Sequence, residues 1–199
     1  MPDRQVRHQL LRPSRVIVDK GTDLELVERF RGGDQAAFAE LVTRYQQPIY
    51  NAAFWVLRRA EDANDITQEV FLKVAERLDE YDPRFRFFSW IYRIAVNESL
   101  NLLRRNKREK GLDDEFDLPA ADSASPEYQL GDAQLTERIR STLMRMTTSD
   151  RTVLSLRHFS DCSYQEIGQI LDVDAKMVKS RLFEARQRLR GLLADLQTD

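Results

Sequence analysis

The sequence predicts an all-α protein made of two helical domains joined by a flexible acidic linker. Three observations carry this. Apolar residues recur every three to four positions over most of the chain, the period of a helix buried on one side. Glycine (7) and proline (6) are few among 199 residues, which favours helices over turn-rich sheets. Between residues 111 and 130 the apolar rhythm gives way to Pro119-Ala-Ala-Asp-Ser-Ala-Ser-Pro126, a small, polar, proline-containing composition that suits a linker. The implied divisions are a flexible basic tail (1–20), a first domain (21–110), the acidic linker (111–130) and a second domain (131–199).

In the first domain, a short helix over 23–31 places Leu24, Val27 and Phe30 on one face and stops at Gly32-Gly33. Asp34 is a good N-cap for a second helix carrying Phe38, Leu41, Val42, Tyr45, Ile49, Ala52, Ala53, Val56 and Leu57. Pro48 lies inside it and predicts a kink or break. A third helix over 62–80 has Ile66, Val70, Val74 and Leu78 at i+4 steps, and Asp82-Pro83 ends it. The loop Tyr81–Phe87 leads to a fourth helix, capped by Ser89, with Phe88, Ile91, Ala95 and Leu102 on its inner side.

The second domain opens with Leu135, Ile139, Leu143 and Met146 on one helix and Val153, Leu154 and Leu156 on the next. Two more helices, roughly 163–171 and 174–194, have the form of a helix-turn-helix. Ser163 and Glu166 make a capping box. Tyr164, Ile167, Ile170 and Leu171 face inward, and Gly168 sits where helices must approach closely. Asp172-Val173 make the turn, and Asp174 caps the second helix, which buries Val178, Leu182, Ala185, Leu189 and Leu192.

The formal net charge of −2 conceals a strong asymmetry. Residues 86–110 carry a net +5, residues 175–191 another +5, and residues 111–137 a net −8. Two basic blocks flanking an acidic one point to a nucleic-acid partner that the total alone does not suggest. Cys162 is the single cysteine, so no internal disulfide is possible, as suits a reducing cytoplasm. With only His8 and His158 beside it, a structural zinc site is not expected. No apolar run approaches the ~18 residues needed to span a membrane, and the N-terminus lacks the apolar core of a signal peptide.

Three surfaces stand out. On the third helix, Asp62, Asp65, Glu69 and Glu76 share the face opposite the apolar stripe, flanked by Gln68 and Lys73. This is either a solvated acidic face or a docking surface for a basic protein element. The fourth helix begins among Phe85, Phe87, Phe88, Trp90 and Tyr92, which cannot all point inward, because neighbours diverge by about 100°. Exposed aromatics beside arginines can stack on unpaired bases, and Arg93, Asn97, Asn101, Arg104 and Arg108 continue as a polar and basic stripe. The last helix presents Lys176, Lys179, Ser180, Phe183 and Arg186, a face suited to phosphates and base edges in the major groove.

These motifs, in this order, resemble the extracytoplasmic-function (ECF) sigma factors of the sigma-70 family over residues 23–194. The resemblance rests on Gly33-Asp34 through Arg44-Tyr45, on Asp62-Ala-Asn-Asp-Ile-Thr-Gln-Glu-Val-Phe-Leu-Lys73, on Phe87-Phe-Ser-Trp-Ile-Tyr-Arg-Ile-Ala-Val-Asn97, and on Val178-Lys-Ser-Arg-Leu with Ala185-Arg. It implies that Asp62, Asp65, Gln68 and Glu69 bind core RNA polymerase, whose beta-prime and beta subunits are the expected partners. It implies that Arg84, Phe85, Phe87, Trp90, Arg93, Asn97, Asn101 and Arg104 open the minus-ten element and hold the melted non-template strand. It implies that Lys176, Lys179, Ser180, Arg181, Phe183, Glu184 and Arg186 read the minus-thirty-five element in promoter double-stranded DNA. An anti-sigma factor is a further implied partner, and the implied setting is the bacterial cytoplasm.

The sequence departs from the family pattern at Asn64, where an acid is usual, at Asp172, where the turn glycine is usual, over Asp174-Ala-Lys-Met177, and at Glu184. The competing reading is a free-standing helix-turn-helix regulator that binds duplex DNA as a symmetric dimer. No nucleophile–base pair, metal cluster or phosphate-binding glycine loop is seen, so no catalytic residue, cofactor or metal is expected.

Overall fold

The computed structural model describes residues 20–109 and 133–195, and every regular element among them is helical. The expectations for the basic tail and the acidic linker fall on residues outside the described ones.

The first domain consists of α1 (Lys20–Arg31), α2 (Gln35–Leu57), α3 (Ala60–Glu76), a 3-10 turn (Leu78–Glu80) and α4 (Phe87–Glu109). α2 is its spine, packing against α1, α3 and α4. Gly33, at φ +94°, makes the sharp reversal before α2, a conformation that costs a residue without Cβ little. The Asp34 carboxylate then accepts from the Ala36 and Ala37 amides at 2.9 and 3.3 Å and takes the Arg29 guanidinium at 2.7 Å. α1 is fastened by Asp23, which is buried and receives the Tyr45 hydroxyl and the Arg44 guanidinium. Burial pushes the Asp23 carboxyl above its ordinary range even against those two donors.

Three expectations change here. Of the kink or break expected at Pro48, the break does not occur: α2 runs continuously from Gln35 to Leu57. Proline removes one amide donor from the ladder, while the buried Tyr45, Ile49, Ala52 and Ala53 hold the helix on both sides of it. α3 ends at Glu76, short of residue 80, because the chain tightens into the 3-10 turn that swings Leu78 inward. Arg31 donates to the Leu78 and Tyr81 carbonyls at 2.9 and 3.1 Å and fixes that turn. Ser89 is not the cap of α4. It lies inside the first turn, buried, with a hydroxyl that has no hydrogen-bond partner. The helix is started by Arg86, whose carbonyl receives the Ser89 and Trp90 amides.

The second domain comprises α5 (Ala133–Met144), α6 (Thr148–His158), α7 (Tyr164–Leu171) and α8 (Ala175–Asp195). Its turn chemistry follows the sequence closely. Ser163 and Glu166 form the full capping box, Asp172 takes the left-handed conformation at φ 55°, and Asp174 accepts from the Met177 amide at 2.7 Å. Burial pushes the Glu166 carboxyl up, but hydrogen bonds from Ser163 and the Arg86 guanidinium outweigh it and hold it below the ordinary range. Gly168 is needed for a reason more local than a helix crossing: a Cβ there would stand 2.6 Å from the Val173 carbonyl of the turn itself. Arg188 on α8 clasps Asp150 in the first turn of α6 at 2.7 and 2.9 Å.

The domains pack against one another through α2 on α6 and α4 on α7. Arg151, 1% exposed, donates to the Trp55 and Val56 carbonyls at the end of α2 and to the Met146 carbonyl of its own domain. Arg58 returns the contact, donating to the Met144 carbonyl at 2.7 Å. The Trp55 and Phe159 rings stack at 4.9 Å and 4°, an arrangement that adds to plain area burial.

Gly168→Ala forces the turn carbonyl aside, and we expect a loss of about 1–3 kcal/mol in the second domain. Thermal unfolding followed by circular dichroism checks this, and an unchanged melting curve refutes the close approach.

Candidate nucleic-acid interface

The loop before α4 is built around Tyr81, a buried ring whose hydroxyl donates to the Phe85 carbonyl at 2.8 Å. That bond turns the Phe85 ring outward, where it is 46% exposed. Arg84, also outside, is paired with Asp82 at 2.8 Å, which holds the Asp82 carboxyl below its ordinary range. Trp90 is half-buried and leans on Tyr81 with centroids 5.5 Å apart.

Phe87 departs from the sequence expectation. It is 1% exposed and lies among Tyr45, Tyr81 and Trp90 at 5.5–5.7 Å. A ring so enclosed cannot stack on a base; it backs the Trp90 ring that can.

Along α4, Arg93, Asn97, Asn101 and Arg104 are all exposed. Steps of four and three residues keep them on one strip. A groove of about 590 Å³ lies between this strip, the loop and the second domain, walled by Tyr81, Phe85, Trp90, Arg93, Gln169 and Asp172. Flat rings and amides around a slot of that size suit unstacked bases, while its cations Lys73, Arg77 and Arg93 are interleaved with the carboxylates Glu80, Asp82, Glu98 and Asp172.

On α3, Asp65, Gln68 and Glu69 are exposed, while Asp62 is partly buried and 3.5 Å from Arg59. Glu69 is bridged to Lys73 at 2.9 Å, and Lys73 reaches Glu98 of α4 at 2.7 Å. Leu72, which sequence reasoning passed over, is 65% exposed. It follows Glu69 and Gln68 by three and four residues, so it stands within the acidic strip. The signal was present in Phe71-Leu72: adjacent helical positions diverge by about 100°, and Phe71 takes the buried one.

On α8, Lys176, Lys179, Ser180, Phe183 and Glu184 are exposed, with Phe183 at 62%. Arg181 is half-buried, and Arg186 is drawn toward His158 at 3.4 Å. Met177, 43% exposed, joins this surface without having been expected there. No helix among the described residues is long and apolar enough to cross a membrane, and no cluster of metal-ligating side chains occurs among them.

Residues 41–109 match Sigma-70 region 2, and residues 136–189 match Sigma-70, region 4. The ECF RNA polymerase sigma factor SigW of Bacillus subtilis is 31% identical over 179 residues, covering 85% of this chain and 96% of that protein. The RNA polymerase sigma-H factor of Pseudomonas aeruginosa is 32% identical over 183 residues, covering 87% and 95%. Among solved structures, CnrH in complex with the cytosolic domain of CnrY aligns with a TM-score of 0.65 at 26% identity, covering 87% of this chain and 98% of that one. The sigma factor RpoE of Bartonella quintana, in complex with the anti-sigma factor NepR, aligns at 0.64 over 79% of this chain and 96% of that one; at 22% identity it speaks to the fold alone. With both regions matched in order, and relatives covered almost end to end, the chain belongs to the extracytoplasmic-function sigma factors of the sigma-70 family.

Proposed function

We propose that this sigma factor docks on core RNA polymerase through the α3 strip, opens and holds the minus-ten element with α4 and its loop, and reads the minus-thirty-five element with α8. The observation that carries this is the separation of charge within one bundle. Asp65 and Glu69 point outward from α3, whereas Arg93 and Arg104 point outward from α4. A protein partner and a polyanion can therefore be held at once by different helices of the same domain.

On this reading Asp65, Gln68 and Glu69 form the polar surround of the polymerase contact, and Leu72 is its apolar centre. Asp62 contributes less, being partly covered. Phe85 and Trp90 take unstacked bases, while Arg84, Arg93, Asn97, Asn101 and Arg104 hold the strand around them. Lys176, Lys179, Arg181 and Arg186 neutralise phosphates, and Ser180, Phe183 and Glu184 contact base edges. Phosphate contacts position the helix and base contacts specify. The chain supplies binding free energy only; bond formation belongs to the polymerase, and the setting is the cytoplasm. An anti-sigma factor is a fitting regulator, as CnrH is solved with the cytosolic domain of CnrY. A dimeric helix-turn-helix regulator is not favoured, because it leaves the whole region 2 match without a role.

Run-off transcription from genomic fragments, by core polymerase with and without this protein, tests the function directly. Factor-dependent start sites are the expected result. Leu72→Ser and Glu69→Lys are each expected to weaken polymerase binding by about tenfold, the ~1.4 kcal/mol of a single interface contact. Titration of labelled protein with core enzyme reads this, and equal affinity for both variants refutes the docking assignment.

Phe85→Ala and Trp90→Ala are expected to reduce permanganate reactivity of the open complex while closed-complex footprints persist. Phe87→Ala is expected to act through stability instead, losing about 3–5 kcal/mol as a buried ring, whereas Phe85→Ala shifts the melting temperature by no more than about 2 °C. A Phe87 variant as stable as the parent contradicts the burial described above.

A further inference from the structure

We infer that Glu184 is a specificity-determining residue of the helix-turn-helix: its carboxylate takes the exocyclic amine of one cytosine in the minus-thirty-five element, so that one pair of that element is G·C. This rests on the functional reading above and adds a base to it. The sequence isolates the residue. Residues 175–191 hold six cations and one acid, Glu184. On a surface whose other charges all attract phosphate, a carboxylate weakens attachment to every duplex alike. It adds affinity only where the DNA offers it a donor.

The structure places Glu184 where such donors lie. Val178, Leu182 and Ala185 are buried and fix the inner side of α8. Lys176, Ser180 and Glu184 follow at steps of four and are all exposed, so they form one strip on the outer side. That strip rises about 12 Å along the helix axis, and the major groove is about 12 Å wide. Both ends of the strip therefore fit within one crossing of the groove.

The carboxylate is also held in place. The Ser180 hydroxyl donates to Glu184 Oε1 at 3.4 Å, and Arg188 Nη2 lies 3.5 Å from Oε2. Arg188 is itself anchored. Its Nε and Nη2 donate to the two oxygens of Asp150 at 2.7 and 2.9 Å, and the Asp150 side chain is buried. Arg188 is thus a positioning residue, a rigid fork set between a buried carboxylate and an exposed one. The two contacts to Glu184 are long, so they orient its oxygens without filling the roughly four acceptor sites of a carboxylate.

Base chemistry then selects the partner. In the major groove guanine presents N7 and O6, and thymine presents O4, all acceptors that repel a carboxylate. Only cytosine N4 and adenine N6 donate there. Adenine N6 stands beside the N7 acceptor, which repels the second carboxylate oxygen, whereas cytosine N4 has no acceptor next to it on that edge. Cytosine is therefore preferred. Glutamine, of the same length, reverses the order, because its amide donates to adenine N7 while accepting from N6.

The test uses holoenzyme assembled from core polymerase and the full chain, on a factor-dependent promoter mapped by the run-off experiment above. Each pair of its minus-thirty-five element is replaced in turn by the other three, and binding is read by competition. The parent is expected to prefer G·C at one position by about tenfold or more. Glu184→Gln is expected to move that preference to A·T at the same position, and Glu184→Ala to abolish it there alone. Arg188→Ala is expected to lose preference at that pair and spare the others. Both Glu184 variants change an exposed side chain, so they keep the test open should the Arg188 variant fold poorly by circular dichroism. Unchanged base preferences in the Glu184 variants, a loss spread evenly over all pairs, or a Glu184-dependent pair that is A·T in the parent overturns the proposal and leaves the functional reading intact. An even loss in a folded Arg188→Ala overturns its positioning role. Absence of any factor-dependent start site overturns the functional reading and the base assignment with it.

Discussion

A guanidinium taken almost wholly out of water must be surrounded by acceptors, because an ion buried without them is strongly destabilising. Arg151 meets that condition only where three backbone carbonyls converge, two from α2 and one from its own domain. Carbonyls at a helix C-terminus are the acceptors a helix leaves unused, and they carry the negative end of its dipole. Arg58 sustains the site from the other side. Its left-handed backbone ends α2 just after Trp55 and Val56, and its side chain reaches the Met144 carbonyl. The position of the second domain on the first thus follows from how α2 ends.

The same logic separates what is fixed from what is free to bind. Phe87, Tyr81 and Tyr45 form a buried aromatic group on which the half-buried Trp90 rests, while Phe85 is tied to it through its backbone carbonyl. A ring held at one edge by packing loses little further freedom when a base stacks on its open face, which favours binding. On α8 the buried Val178, Leu182 and Ala185 anchor the helix, so its exposed positions are held by a rigid element. Where a half-buried cation is drawn toward another side chain, as Arg186 is toward His158, that contact competes with any phosphate for the guanidinium.

Much of the architecture was legible because helical periodicity and capping are local. Asp34, Ser163, Glu166, Asp172 and Asp174 each do in the structure what their neighbours in sequence suggested. Several of the errors depended on partners distant in sequence, and the rest on packing around the helix. Ser89 has the composition of a cap, but the Arg86 carbonyl and the surrounding aromatics set the start of α4 one turn-fragment earlier. The end of α3 depended on Arg31, nearly fifty residues away. Phe87 and Trp90 could not be ranked for exposure by spacing alone, since Tyr45 and Tyr81 decide which ring is covered. Nothing local foretold that Arg151 would be the most enclosed charge among the described residues.

Asp172 brings the two scales together. As the residue that ends α7 at φ 55°, it carries a left-handed strain of roughly 1–2 kcal/mol that glycine escapes. Turn geometry alone therefore does not explain an aspartate here. Its carboxylate is 88% exposed and stands 3.9 Å from Arg93, a pair too open to contribute much to folding. Where α7 packs on α4, however, it places negative charge beside a cation of the exposed α4 strip. A phosphate approaching Arg93 therefore meets the field of Asp172 as well, so the turn residue tempers the positive charge of that strip.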